Sequence, residues 1–129
     1  MSADALWGLL EQATDPDLEP QLWAAMVAAP APAHDPSAQA TTHMDQGMRG
    51  RMLAGIFDLL LMEDEPRRAL LDFEVPNHRS YGATLAGYRA LFEGLAAVLA
   101  AQDPGNEAGR EALQARCARI LEDIEARNP

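Results

Sequence analysis

One histidine of this sequence stands where its side chain could hold a metal. His78 follows a short amphipathic segment and precedes a long apolar one, and Tyr88 comes ten residues later. Neutral imidazole is a common metal ligand, and a ligating histidine needs a hydrogen-bond partner for its second ring nitrogen. Tyr88 or a backbone carbonyl could be that partner. His78 is therefore our candidate metal ligand, although a lone histidine beside a loop is more often a surface or helix-end residue.

The other reactive side chains have simpler explanations. His34 and His43 lie in or beside the proline-rich segment 29–43, and a zinc site built on this pair would lack closing ligands. Cys117 falls within an apolar helical stripe, which predicts core packing. The acidic run 63–65 precedes a helix start, where it compensates the helix dipole. No glycine-rich phosphate loop, CxxC pair or catalytic serine motif is present, so the sequence does not indicate a hydrolase or a kinase.

The charge balance limits the partners of the chain. The 129 residues include 20 acidic and ten basic side chains, and the formal net charge is −10. Every basic residue is arginine. A strongly acidic chain is unsuited to nucleic acid and to anionic membrane surfaces, because both attract basic patches. The apolar runs are too short to span a bilayer, and the first residues do not resemble a signal peptide. We therefore expect one cytoplasmic domain over residues 1–129.

The composition predicts an all-α fold of five to six helices. Alanine, the best helix former, accounts for 25 residues, and β-branched residues are scarce. Asn106 is a plausible N-cap. Apolar side chains recur at helical spacing, which places Leu6, Leu9 and Leu10 on one face of the first helix and makes a stripe in the last helix of Leu113, Cys117, Ile120, Leu121 and Ile124. The expected helices cover residues 3–13, 18–28, 42–62, a brief segment from Pro66 that Pro76 stops, 84–101 and 106–126.

Three segments resemble bacterial globins. The string HRSYG at 78–82, followed by Tyr88 and an apolar helix, is similar to the region around the proximal histidine of that family. The segment MDQGMRGRML at 44–53 resembles the distal helix, and LWAAM at 22–26 resembles the end of the second helix. The resemblance extends loosely over residues 3–127, and its specific part is 70–92. It implies a globin-like helical sandwich that forms a single globin-like domain.

This resemblance also implies a function, a cofactor and a set of site residues. The protein would bind haem b, and through it a diatomic gas, O₂ or NO. His78 would be the proximal iron ligand and Tyr88 would orient it, while Gln46 or Arg49 would face the gas. Electrons for any redox turnover would come from a separate redox partner, so we do not predict a self-contained enzyme. The implied haem pocket is lined by Met48, Met52, Leu53, Phe57, Tyr81, Leu85, Tyr88 and Phe92.

Two alternatives remain open from the sequence. A globin-like fold without haem would be a sensor or regulatory module that acts through protein–protein contacts or as a homodimer. The last two helices are the candidate face for such contacts, and exposed apolar surface on them would support this function. An unrelated small helical bundle without a ligand is the other alternative. The colour of the purified protein distinguishes the haem protein from both.

Overall fold

Five helices make up nearly all of the part of the chain that is described. The computed structural model describes residues 3–12, 20–21, 24, 46–80 and 83–127. No strand occurs among these residues, and the all-α prediction is confirmed. The globin-like arrangement of the helices stays a prediction. The helices are α1 (Ala3–Gln12), α2 (Gln46–Leu61), α3 (Asp64–Arg79), α4 (Leu85–Gln102) and α5 (Glu107–Arg127).

Helix α5 lies at the centre of the packing. With 21 residues it is the longest of the five, and it contacts all four others. Its apolar positions at 113, 117, 120 and 124 follow helical spacing, so one stripe faces the core. Leu113, Cys117, Ile120 and Ile124 are all buried, as the sequence predicts.

The remaining helices each bury one face against this stripe. Helix α1 contributes three leucines, as expected from their spacing, while Trp7 beside them is 53% exposed. Helix α1 contacts both α5 and α4, so the first and last described helices pack around one core. The buried apolar side chains outside α5 include Leu6, Leu9, Leu10, Leu53, Ile56, Leu60, Leu71, Val75, Phe92, Leu95 and Leu99.

Side-chain caps fix the starts of the last two helices. The Thr84 hydroxyl accepts a hydrogen bond from the Gly87 amide at 3.0 Å, and Asn106 Oδ1 accepts one from the Gly109 amide at 2.9 Å. Each cap satisfies an amide that has no partner within its helix. The prediction that Asn106 is an N-cap is confirmed, and both starts lie within a residue of the predicted ones.

The prediction that Pro76 ends the helix before His78 is wrong. Helix α3 has 16 residues and continues through Pro76 to Arg79. A proline inside a helix removes one hydrogen bond and frees the carbonyl four residues earlier. Pro76 and Asp72, which carries that carbonyl, are both exposed, so water can solvate the carbonyl near the helix end. His78 therefore lies in the last turn of an intact helix.

Several expectations fall on parts of the chain that are not described. The proline-rich segment 29–43, with His34 and His43, lies outside the described residues, as does most of the expected helix 18–28. Of that expected helix, Pro20, Gln21 and Ala24 are described and helical. Within the described residues, no helix combines the length and apolar character needed to cross a membrane.

Candidate functional site

The imidazole of His78 is held by the helix that carries it. Its Nδ1 lies 2.8 Å from the backbone carbonyl oxygen of Glu74, one turn earlier in α3. A carbonyl oxygen can only accept a hydrogen bond, so Nδ1 donates and carries the proton. In the neutral ring this leaves the lone pair on Nε2 available to a ligand. Of the two partners considered from the sequence, the backbone carbonyl is the one that contacts the ring.

A carboxylate lies beside this histidine, whose side chain is 44% exposed. Glu74 Oε2 lies 3.3 Å from His78 Nδ1, which further favours the Nδ1-protonated ring. Tyr88 of α4 lies close enough to Glu74 to feel its charge. Burial, followed by the negative charge of Glu74, raises the pKa of Tyr88 to about 12, although Arg79 opposes the increase. Glu74 thus contacts His78 and also raises the pKa of Tyr88.

The predicted pocket residues occupy different depths of the molecule. Leu53 and Phe92 are buried in the core, at 4% and 2% exposure. Met48, in contrast, is 44% exposed. Four others are partly buried and pack against the core: Met52, Phe57, Leu85 and Tyr88. These side chains are apolar as expected, but most of them pack between the helices.

Three predicted site residues lie wholly or in part outside the described structure. Tyr81 lies outside the described residues. Gln46 and Arg49, the candidates for the gas-facing position, belong to α2, but their side chains are outside the described part of the structure. Among the described residues, no group of three or more potential metal ligands is found.

A buried arginine, which the sequence did not reveal, joins α3 to α5. Arg67 is 0% exposed, and its Nη2 donates to Asp123 Oδ2 at 2.9 Å. Its Nη1 lies 3.0 Å from Asp64 Oδ1 but forms no hydrogen bond within the described structure. Asp123 also accepts from Arg68 Nε at 3.4 Å. A buried charge needs such partners, because water no longer solvates it.

Further ion pairs extend this contact along the two helices. Asp64 Oδ1 lies 3.2 Å from Arg119 Nη1, and Arg127 Nε donates to Asp72 Oδ1 at 2.6 Å. Desolvation acts to raise the pKa of Asp64, but the guanidinium groups of Arg67 and Arg119 outweigh it and hold that pKa below its usual value. The acidic residue Asp64, expected to compensate a helix dipole, therefore also pairs between helices. The sequence feature that could have indicated these ion pairs is that every basic residue is arginine.

An open apolar groove of about 420 Å³ runs between α4 and α5. Its floor is formed by buried side chains such as Phe92 and Leu113, and its rim carries Glu93, Arg110 and Gln114. His78 does not line this groove. The other lining residues are Ala96, Ala97, Ala100, Cys117, Ala118 and Leu121.

The thiol of Cys117 is expected to be unreactive in the folded protein. The side chain is 7% exposed, and burial raises its pKa to about 12. Because the thiolate is the nucleophile, native protein at pH 8 should react with a thiol reagent far more slowly than urea-unfolded protein. The reaction rate of the thiol is measured by the absorbance of the aromatic thiolate that a chromogenic disulfide reagent releases. Equal rates in the native and unfolded protein would contradict the burial of Cys117.

The chain matches no family model, no curated protein and no solved structure.

Proposed function

We propose that this protein binds haem and that His78 is the proximal iron ligand. The observation that carries the proposal is the hydrogen bond from His78 Nδ1 to the Glu74 carbonyl oxygen. Ligating histidines commonly donate their second ring N–H to a carbonyl or carboxylate, which fixes the tautomer and the ring orientation. Glu74 offers both acceptors to the same nitrogen.

A single imidazole is a sufficient protein ligand for haem, because the porphyrin supplies four nitrogens to the iron. His78 would bind the iron through Nε2. Tyr88 would act on the ligand through Glu74, whose charge it senses. The partly buried side chains of Met52, Phe57 and Leu85 would give the porphyrin apolar contacts. When bound, haem would supply an iron centre for O₂ or NO, and a separate redox protein would reduce it.

Titration of the purified protein with hemin tests this function. We expect a Soret absorbance band that saturates at one hemin per chain and is lost or strongly shifted in His78→Ala. Adding free imidazole to that variant should restore a histidine-like spectrum, because the small molecule replaces the missing side chain. A wild-type protein whose spectrum stays that of free hemin would exclude this function.

The matched control is Asn77→Ala, one residue before His78 on the same helix. Asn77 is exposed, so its removal should leave both the fold and the hemin spectrum unchanged. Far-ultraviolet circular dichroism of each variant shows whether the helices persist. A His78→Ala protein with wild-type helicity and a wild-type Soret band would show that hemin binds elsewhere.

The second candidate function is a regulatory module that binds another protein or a second copy of itself without haem. Large apolar side chains on the described surface favour it, and they lie on α3 and α1 rather than on the last two helices: Phe73 is 67% exposed and Trp7 is 53% exposed. Such side chains commonly mark interaction surfaces when they belong to a larger apolar patch. A protein that does not bind hemin and whose mass in solution rises with concentration would support this candidate, and a hemin-free monomer would oppose its homodimeric form.

A further inference from the structure

We propose that the groove between α4 and α5 is the face on which two copies of this chain associate, antiparallel across a two-fold axis. The proposal deepens the second candidate function, on which it rests, and does not depend on haem. It assigns the dimer contact to a defined surface and to one pair of charged side chains, Glu93 and Arg110. The groove is apolar along its floor and open to solvent on its outer side.

Opposite charges lie at opposite ends of this groove. Glu93 projects from the middle of α4, and Arg110 lies in the first turn of α5, which runs back along α4 after a short turn. Among the described residues neither side chain has an ion-pair partner. A two-fold axis through the centre of the groove would bring Glu93 onto Arg110 of the partner subunit. The same pair would form a second time, because a two-fold interface repeats every contact.

The charge of the groove also favours a second copy. The whole chain carries a formal net charge of −10, which opposes association through most of its surface. Among the described residues, the groove rim combines one acidic side chain, one basic side chain and Gln114, so this part of the rim carries no net charge. A fatty acid with its carboxylate on Arg110 would cover Glu93 with its chain and leave that charge unpaired. A second copy would pair both charges.

The size of the face fits a weak dimer. At 1.5 Å per residue, α4 is about 27 Å long and α5 about 31 Å long. With an interhelical distance of 8–10 Å and a helix diameter of about 10 Å, the two helices form a face about 18–20 Å wide, which is on the order of 500 Å² per subunit. Both subunits together would then bury roughly 1,000 Å², near the lower limit of specific interfaces. Association should therefore depend on concentration in the accessible range.

Charge reversal tests the proposed pair. Sedimentation equilibrium over a concentration series should give a monomer–dimer equilibrium for the wild-type protein. Glu93→Arg and Arg110→Glu should each raise the dissociation constant about tenfold or more, because each places two like-charged pairs at the interface. The double reversal, Glu93→Arg with Arg110→Glu, should restore association. Glu65→Arg and Arg51→Glu make the same charge changes at exposed positions outside the groove and are the matched controls.

The sedimentation results decide whether the two-fold contact forms, independently of haem binding. Restoration in the double variant, with little change in the controls, supports the two-fold contact. A wild-type chain that stays monomeric at its highest soluble concentration overturns it. So does a dimer that loses no affinity in either single variant relative to its control. Neither result changes the hemin titration, and a monomer would still leave binding of a different protein as an interaction function.

Discussion

Asp123→Ala should lower the free energy of unfolding by about 3 kcal/mol, because it leaves a buried arginine with its main partner removed. Arg67 is fully buried and donates to Asp123 through both Nε and Nη2, at 3.3 and 2.9 Å. Asp64 would remain nearby, but its contact with Arg67 is not a hydrogen bond. Urea unfolding monitored by circular dichroism measures the change, and the urea midpoint should fall accordingly.

Asp72→Ala is the matched control for this prediction. Asp72 is 66% exposed and its ion pair with Arg127 lies at the surface, where such pairs contribute about 1 kcal/mol or less. A second test replaces both members of the buried pair, as Arg67→Met with Asp123→Leu. Removing both charges avoids the unpaired ion, so the double variant should be more stable than Asp123→Ala alone. If Asp123→Ala were no more damaging than Asp72→Ala, the buried pair would not hold α3 to α5.

Leu95→Ala should cost about 2–5 kcal/mol, the range found when a leucine is truncated in a close-packed core. Leu95 is 0% exposed and belongs to the cluster to which all five helices contribute. The helices around it are fixed by several other buried side chains, so the cavity should close only in part. The lost contacts and the remaining cavity then add to the lost burial. Urea unfolding again provides the measurement.

Phe73→Ala removes a larger side chain but should change stability by less than about 0.5 kcal/mol, as surface substitutions usually do. The difference lies in exposure, since Phe73 is 67% exposed and Leu95 is 0% exposed. A large loss for Phe73→Ala would show that its ring packs against something in solution. A small loss for Leu95→Ala would contradict the position of Leu95 in the core.

The ion pairs between α3 and α5 make the stability of the fold depend on pH. The pKa of Asp64 is lowered in the folded protein by the guanidinium groups beside it. A carboxyl group whose folded pKa is depressed stabilises the fold above its unfolded pKa. That contribution is lost as the pH falls through the folded value. The effect of Asp64 should therefore appear only at acidic pH, below the ordinary aspartate pKa of 3.8.

The sequence alone determined the all-α class and the inward faces of the first and last helices. Helical spacing was enough to predict that Leu6, Leu9 and Leu10 are buried and that Cys117 belongs to the stripe of the last helix. Local chemistry also determined the start of that helix, because the Asn106 side chain acts on an amide only three residues away. These features depend on neighbours within one or two turns, which a sequence displays directly.

Only the tertiary structure decided the environments of the charged side chains and of His78. An arginine three residues after an aspartate is typical of an exposed helix, and the packing of α3 against α5 is what buries Arg67. His78 donates a hydrogen bond to the Glu74 carbonyl because α3 continues through Pro76. The rule that proline ends a helix did not predict this continuation. Burial is a property of two surfaces that meet, and their separation in the chain, 56 residues for Arg67 and Asp123, hides it from any local pattern.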